Sequence, residues 1–388
     1  MREKTNIVPV ERISILFLIS CLVAFSSGCS LKRNPIGSGD STGTQAKVWS
    51  ERADSAQNAL QQYFWDPGHS LYYSNSGGGS DAAYWWQAHA LNCLSDGWLR
   101  TGDPIYISRI MSLWSGFVKV HPAVTDNYYD DMEWMALALL RAYNETGDNS
   151  YLNGVNTLWQ TIKGGWSDTL GGGIRWRFAQ PLFKNVAANA PGSILASMLY
   201  EDFGDTANLA WAKKIQNWVE ANLVNPSTGA IIDGITYQSG GPPIYHTQLY
   251  SYNYGTYMDA CLQLYKITKD ASYLNEAVRT ADVADSTFEL PDGIMKDGGT
   301  GDGGLFRGIY IRCLVQLILE PDLNSSARAR YEEFLQQNAE SLWNSGRRSG
   351  TALFNHDWQS PPVGFVDLSV ELSGIMLIEG EARVSTSE

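Results

Sequence analysis

The strongest constraint on this chain is a rhythm in its connections. Apolar residues recur at helical spacing through twelve segments: 50–65, 84–101, 104–120, 131–146, 150–165, 190–203, 206–223, 251–268, 271–287, 304–319, 325–343 and 366–382. The joints between them alternate in kind. After the second, fourth, sixth and eighth segments they are tight and alike: Thr101-Gly102-Asp103, Thr146-Gly147-Asp148, Phe203-Gly204-Asp205 and Thr268-Lys269-Asp270. A glycine there can take the left-handed conformation that ends one helix, and the aspartate can cap the next. Lys269 departs from the glycine rule, although its surroundings still repeat: Asp148-Asn149-Ser150-Tyr151-Leu152 corresponds to Asp270-Ala271-Ser272-Tyr273-Leu274. Six other joints, 66–83, 121–130, 166–189, 225–250, 289–303 and 344–365, are long and rich in Gly, Pro, Asp and aromatics. Loops of that length inside a compact domain usually carry function.

The segments also differ by parity. Even ones mix small residues with aliphatics, as in Ala136-Leu137-Ala138 and Ser193-Ile194-Leu195-Ala196-Ser197. Odd ones, such as 205–223 and 325–343, set a charged stripe against an apolar one, as a helix exposed on one side should. The expectation is an all-α fold, an (α/α)6 barrel of twelve helices in two concentric rings, forming one domain over 49–388. An open helical repeat array is the competing arrangement. In the barrel every long loop lies on one face, where the positive N-terminal ends of six inner helices converge on a bowl suited to carboxylates and polar ligands.

The N-terminus carries a different signal. Arg2, Lys4 and Arg12 precede the apolar run 13–25, which is short for a bilayer span and has the length of a signal-peptide core. It ends in Ser26-Ser27-Gly28-Cys29, which resembles a bacterial lipobox. Residues 1–28 are therefore expected to be a lipoprotein signal peptide, Cys29 the lipidated residue, and 29–48, rich in Gly, Ser and Thr, a flexible tether. The protein is expected to be exported and held at a membrane by its lipid, at the cell surface or in the periplasm. Cys93, Cys261 and Cys313 lie in apolar helical runs at spacings that fit no zinc pattern, and read as buried free thiols. With 41 acidic against 28 basic residues the net charge is −13, which argues against a nucleic-acid partner. The many aromatics, Trp 14, Tyr 20 and Phe 12, offer flat faces that suit sugars, although large cores use them too.

The most informative stretch is Tyr128-Tyr129-Asp130-Asp131-Met132-Glu133-Trp134, which ends a long loop and opens a helix. Acidic residues enrich any first helical turn, so capping alone could explain it. Glycoside hydrolysis, however, needs one ionised and one protonated carboxyl, about 5–5.5 Å apart for the retaining route, and adjacent aspartates at a helix start can reach that separation. A helix N-terminus would favour one as an anion while like charge raises the pKa of the other.

The stretch resembles the paired-aspartate motif of glycoside hydrolase family 76, the endo-α-1,6-mannanases. Also similar to that family are Gly171-Gly172-Gly173-Ile174-Arg175-Trp176, Lys184-Asn185-Val186-Ala187-Ala188-Asn189, Gly229-Ala230-Ile231-Ile232-Asp233-Gly234 and Tyr252-Asn253-Tyr254-Gly255. The likeness runs over nearly all of 50–380, and it departs at Tyr254, where many members carry glutamine. The resemblance implies an (α/α)6 barrel and retaining, endo-acting cleavage of α-1,6-mannosidic bonds. By carry-over Asp130 is the nucleophile and Asp131 the acid/base; spacing alone does not order the two.

Tyr84-Trp85-Trp86, Trp166, Trp176, Tyr250, Tyr252 and Tyr254 stand at loop–helix junctions of the bowl, where about half are expected to pack the core or loops and the rest to stack on sugar faces; Tyr129 is also expected to contact substrate. Asn189, Asp233 and Asn253 are expected to meet sugar hydroxyls, with local turn capping as the alternative. Other motif matches fail on context. Gly39-Asp40-Ser41-Thr42-Gly43 has no strand before it, and the G-x-G-x-x-G of 299–304 has no βαβ unit around it. His69, His89, His121, His246 and His356 form no metal-ligand pair on one helix face, so no metal and no cofactor is expected. The expected partner is a neutral polysaccharide, α-1,6-mannan, acted on by a monomer. A mannan transglycosidase and a non-catalytic glycan-binding lipoprotein are the rival functions.

Overall fold

The computed structural model describes residues 41–387. The expected signal peptide and Cys29 lie outside the described residues. Twelve α-helices follow in order: α1 Ser41–Phe64, α2 Tyr84–Thr101, α3 Pro104–Val120, α4 Tyr129–Thr146, α5 Asn149–Lys163, α6 Ala190–Phe203, α7 Thr206–Leu223, α8 Ser251–Thr268, α9 Ala271–Phe288, α10 Gly303–Ile318, α11 Ser325–Asn344 and α12 Leu368–Ser385. Among the described residues, no helix is long and apolar enough to cross a membrane.

The even helices form the inner ring, α2 on α4, then α6, α8, α10 and α12, and α12 returns to pack on α2. That last contact closes the ring and separates a barrel from an open array. Each odd helix lies outside an even one: α3 on α2, α5 on α4, α7 on α6, α9 on α8, while α11 and α1 both cover α12. Crowding at the centre explains the small residues of the even segments. A Cβ on Gly255 would stand 2.7 Å from the Tyr310 Cα, and one on Gly308 would stand 2.5 Å from the Ser373 Cα. Neighbouring inner helices meet there backbone to backbone. α12 is buried on nearly every side, as its lack of a polar stripe requires.

The short turns share one design. Gly102, Gly147 and Gly204 take φ of 65°, 72° and 72°, and Lys269 adopts the same left-handed conformation at 55°. Asp103, Asp148, Asp205 and Asp270 then each accept a hydrogen bond from the backbone N–H two residues on, capping the next helix. On the opposite face the long loops carry the little sheet structure among the described residues. β1 (Trp65–Asp66) pairs with β2 (Leu71–Tyr72), and β3 (Phe183–Asn185), β4 (Gly234–Thr236) and β5 (Ile244–His246) form an antiparallel sheet. This sheet ties the α5–α6 loop to the α7–α8 loop, with Lys184 opposite Ile235 and Ile235 opposite Tyr245.

One boundary moved. α1 begins at Ser41 rather than at 50, so residues 41–48, expected to belong to the tether, are helical. Trp49 and Ala53 supply the reason: both are fully buried, so the helix is already packed one turn before its expected start is complete. Cys93, Cys261 and Cys313 are buried free thiols.

Candidate active site

The site grows from the start of α4. The segment before it runs alongside the α5–α6 loop: the Tyr129 N–H bonds the Trp176 carbonyl at 2.9 Å, the Phe178 N–H bonds the Asn127 carbonyl at 3.0 Å, and Tyr128 bridges Arg177. This pairing hangs the Trp176 indole over the first turn of α4, where its Nε1–H donates to Asp130 Oδ2 at 3.0 Å. Trp176 is fixed by edge contacts with Tyr128 and Phe183 and by the Arg177 guanidinium 4.8 Å from its ring centre. Arg177 is itself held by donating to the Tyr128 hydroxyl at 2.8 Å.

The two aspartates, each half-buried, have different surroundings. Burial pushes the Asp130 carboxyl up to about 7, against the Trp176 indole and the N–H groups of residues 130 and 131, which all favour its anion. Asp131 accepts no hydrogen bond among the described residues, and its pKa is raised well above the carboxylate range. Burial is the first cause, followed by the charges of Asp130, Asp126 and Asp302. When the pair carries a single negative charge, Asp130 is the better-solvated home for it and Asp131 keeps the proton. One turn deeper, Glu133 is fully buried beside Gly192 at the start of α6, and burial, then the charge on Asp130, raises its pKa far above the usual value. Kept neutral, it adds no third charge beneath the pair.

Around this centre the structure gathers part of the expected set. Tyr252 stands half-buried in a cluster with Tyr250 and Phe306, its ring centre 4.3 Å from that of Phe306. Burial, then the charges of Asp233 and Asp130, raises its hydroxyl pKa. Asp233 remains partly exposed and accepts from Asn253 Nδ2 at 3.3 Å. Trp85 is partly exposed at the start of α2 and meets His89 edge-on.

Four expected sugar contacts are turned inward instead. Tyr129 is 2% exposed, its ring against Phe178 and its hydroxyl accepting from Arg175 at 3.0 Å. Tyr254 is fully buried against Phe288 and accepts the Ile231 N–H at 3.0 Å. Asn189 braces the loop that carries Trp176: it accepts from the Ile174 N–H at 2.7 Å and donates to the Ile174 and Asn185 carbonyls. Asn253, fully buried, orients Asp233. Tyr254 and Asn189 hold backbone in place, Tyr129 holds the Arg175 side chain, and Asn253 holds a carboxylate that borders the bowl.

Two further residues steady the site: Trp86, one of the junction aromatics the sequence points to, and Lys184, which the sequence reading did not single out. Trp86, next to the expected Trp85, donates to Asp302 Oδ1 at 3.3 Å and so holds one of the charges acting on Asp131. Lys184 is buried beneath the α5–α6 loop and its ammonium donates to the carbonyls of Ser167, Thr169 and Gly172; burial pulls its pKa down to about 8. Lysine inside a loop motif is the signal that could have marked it. Asp66, His69 and Asp81 also cluster, but the His69 Nδ1 lies 3.2 Å and 3.0 Å from the two carboxylates, a grouping their own opposite charges account for.

Residues 44–381 match the model of glycosyl hydrolase family 76. Among solved structures, the α-1,6-mannanase GH76A of Salegentibacter sp. HEL1_6 is 38% identical, with a TM-score of 0.83 over 87% of this chain and 99% of that one. An inactive variant of the same enzyme, with two consecutive aspartates replaced by asparagine, is solved in complex with α-1,6-mannotriose and is 37% identical at the same TM-score and coverage. The mannan endo-1,6-α-mannosidase DFG5 of Candida albicans is 26% identical over 58% of this chain, which spans 53% of that relative's length.

Proposed function

Because the chain belongs to glycosyl hydrolase family 76, we propose that it is an endo-acting hydrolase of α-1,6-mannan that works with net retention of configuration. The observation that carries the reading is the unequal treatment of two adjacent aspartates, one whose anion is favoured against burial by an indole N–H and a helix start, the other left without a hydrogen bond. The inactive double-aspartate variant of the Salegentibacter relative, bound to an α-1,6-linked trisaccharide, supports placing the reaction at this pair.

In this mechanism an Asp130 oxygen attacks the anomeric carbon while the glycosidic C–O bond breaks and the Asp131 proton passes to the departing oxygen. A glycosyl ester on Asp130 results. Asp131, now ionised, takes a proton from water, whose oxygen attacks the same carbon and frees Asp130. One water is consumed, and two inversions return the α configuration. Tyr250, Tyr252 and Phe306 form an aromatic wall for the sugar faces, with Asp233 beside it for hydroxyls. We also propose that the enzyme is exported, lipid-anchored through Cys29 and monomeric, readings that rest on residues 1–48 and on the family.

The test separates the two aspartates. Asp130→Ala is expected to be inert even on an activated aryl α-mannoside. Asp131→Ala should retain part of that activity, because a good leaving group needs little protonation, and azide should accelerate it. On mannan itself, the lost acid–base help should cost about 10²- to 10⁴-fold. Reversed behaviour would swap the roles, and a β-configured first product would reject retention.

A further inference from the structure

The inner helices end on the face opposite the bowl, and there they enclose a second cavity of about 540 Å³. Its charge is unlike that of the rest of this acidic chain. Arg141 and Arg312 share a single carboxylate, Asp96, at 2.7 Å each. Arg383, exposed in the last turn of α12, stands at the mouth of the cavity, and its guanidinium makes no hydrogen bond or ion pair among the described residues. Partial desolvation and the charges of Arg141 and Arg312 lower its pKa, with Asp96 opposing them. Arg100 does not add to the excess, because Glu379 and Asp54 pair it at 2.8 Å and 2.9 Å. The Asp259 carboxyl, also in the lining, is biased toward its neutral form by burial.

The negative ends of the inner helices attract arginines to this face, yet that alone leaves donors unexplained. Arg383 bonds none of the terminal carbonyls, and the Arg312 Nε is buried without a partner. Deeper in the cavity His89 is 1% exposed, and neither of its ring nitrogens has a partner among the described residues. Buried polar groups are normally paired, so the Arg312 Nε and the two His89 nitrogens, unpartnered around one cavity, point to something that bonds them, and the exposed Arg383 at the mouth is free to join it.

We propose that this cavity is a binding site for a small oxyanion, carboxylate or phosphate in type, held by Arg383, Arg141 and Arg312 at its mouth and by His89 at its inner end. Guanidinium forks match such oxygens in paired geometry. His89 is kept neutral, its pKa lowered to about 3 by burial and by Arg312, so it offers one N–H and one lone pair. The bound anion would tie together the ends of α4, α10 and α12, with α2 contributing His89, and so link helices on both sides of the α12–α2 seam.

Isothermal titration of the full chain with inorganic phosphate, and separately with citrate, tests this at ionic strength held constant with chloride. Saturable binding of either at one equivalent is expected, citrate alone marking a carboxylate site and phosphate alone a phosphate site. Arg383→Gln, which removes no internal bond, should weaken binding at least tenfold while mannan hydrolysis is unchanged. Arg330→Gln, at an exposed pair with Asp282 on α9, should leave binding as it was. No saturable binding of either anion, or equal binding by the Arg383→Gln protein, would overturn the assignment.

Discussion

Replacing Trp176 by phenylalanine isolates one hydrogen bond in the active site. A smaller aromatic ring remains to face Tyr128 and Phe183, while the Nε1–H that reaches Asp130 Oδ2 at 3.0 Å is lost. A hydrogen bond to a charged group is worth about 1.5–3 kcal/mol, which at 1.36 kcal/mol per unit corresponds to about one to two pH units. The sign follows from which form is favoured. The indole stabilises the Asp130 anion, so its loss raises a pKa that already stands at about 7. Because the nucleophile must be ionised, the acid limb of kcat/KM should move up by about one to two units. Activity on its acid side should then fall about 10- to 100-fold, and the deficit should narrow as pH rises. The assay is the pH dependence of kcat/KM for release of reducing ends from debranched mannan, which reports the free enzyme. An acid limb that stays in place, or moves down, would refute the view that Trp176 holds Asp130 ionised.

Three further outcomes can be checked. The Asp130 pKa, raised in the fold to about 7 from 3.8, means that the folded state loses stability as pH rises between those values. Asp130→Asn should therefore stabilise the fold at pH 8 by on the order of a few kcal/mol, read as a higher Tm, with the gain vanishing near pH 4; an unchanged Tm at pH 8 would count against a strained pair. Asn189→Ala leaves the buried Ile174 N–H and carbonyl unpaired at about 1–3 kcal/mol for each group, so thermal unfolding should come earlier and mannan turnover should fall with it; turnover intact in a destabilised protein would separate the brace from the Trp176 loop. Deleting residues 366–388 should unfold the domain, as circular dichroism would show, since α12 is covered by α1 and α11 and closes the ring on α2; a folded, active truncation would mean the ring does not need its last helix.

The architecture was legible because it rests on periodic signals. Glycine and aspartate at the short turns, small residues on even helices and charged stripes on odd ones each report a local physical need, and together they specify two rings. The paired aspartates were legible for a similar reason, as they stand at a helix start where a loop ends. Burial within the long loops has no period to read. Tyr129 and Asp130 are neighbours, yet one step of about 100° around α4 turns the first into the core and leaves the second beneath Trp176. Trp85 and Trp86 differ in the same way. Tyr254 and Asn189 look like polar groups awaiting a sugar, but their partners are backbone groups of Ile231 and Ile174, distant or irregular in sequence. At the N-terminus the Gly, Ser and Thr content hid a helix whose packing begins at Trp49.

The contact of α1 with α12 also decides when this protein can fold. Gln57 donates to Glu379 at 2.9 Å across 322 positions, and Arg52 reaches Glu340 across 288. Almost the whole chain must leave the ribosome before its second half can receive its first, so nascent helix pairs wait with apolar flanks exposed to holding chaperones. Joining two ends so far apart carries the largest loop-closure cost in the domain, and such long-range pairings slow folding. Yet the finished ring packs α1 on α12 and brings Ser50 and Thr386 to the lining of one cavity. A circular permutant joined from 385 to 41 and opened in the exposed turn at 239–242 would convert the slowest closure into a local one. It should refold faster than the natural order of helices, to the same ring.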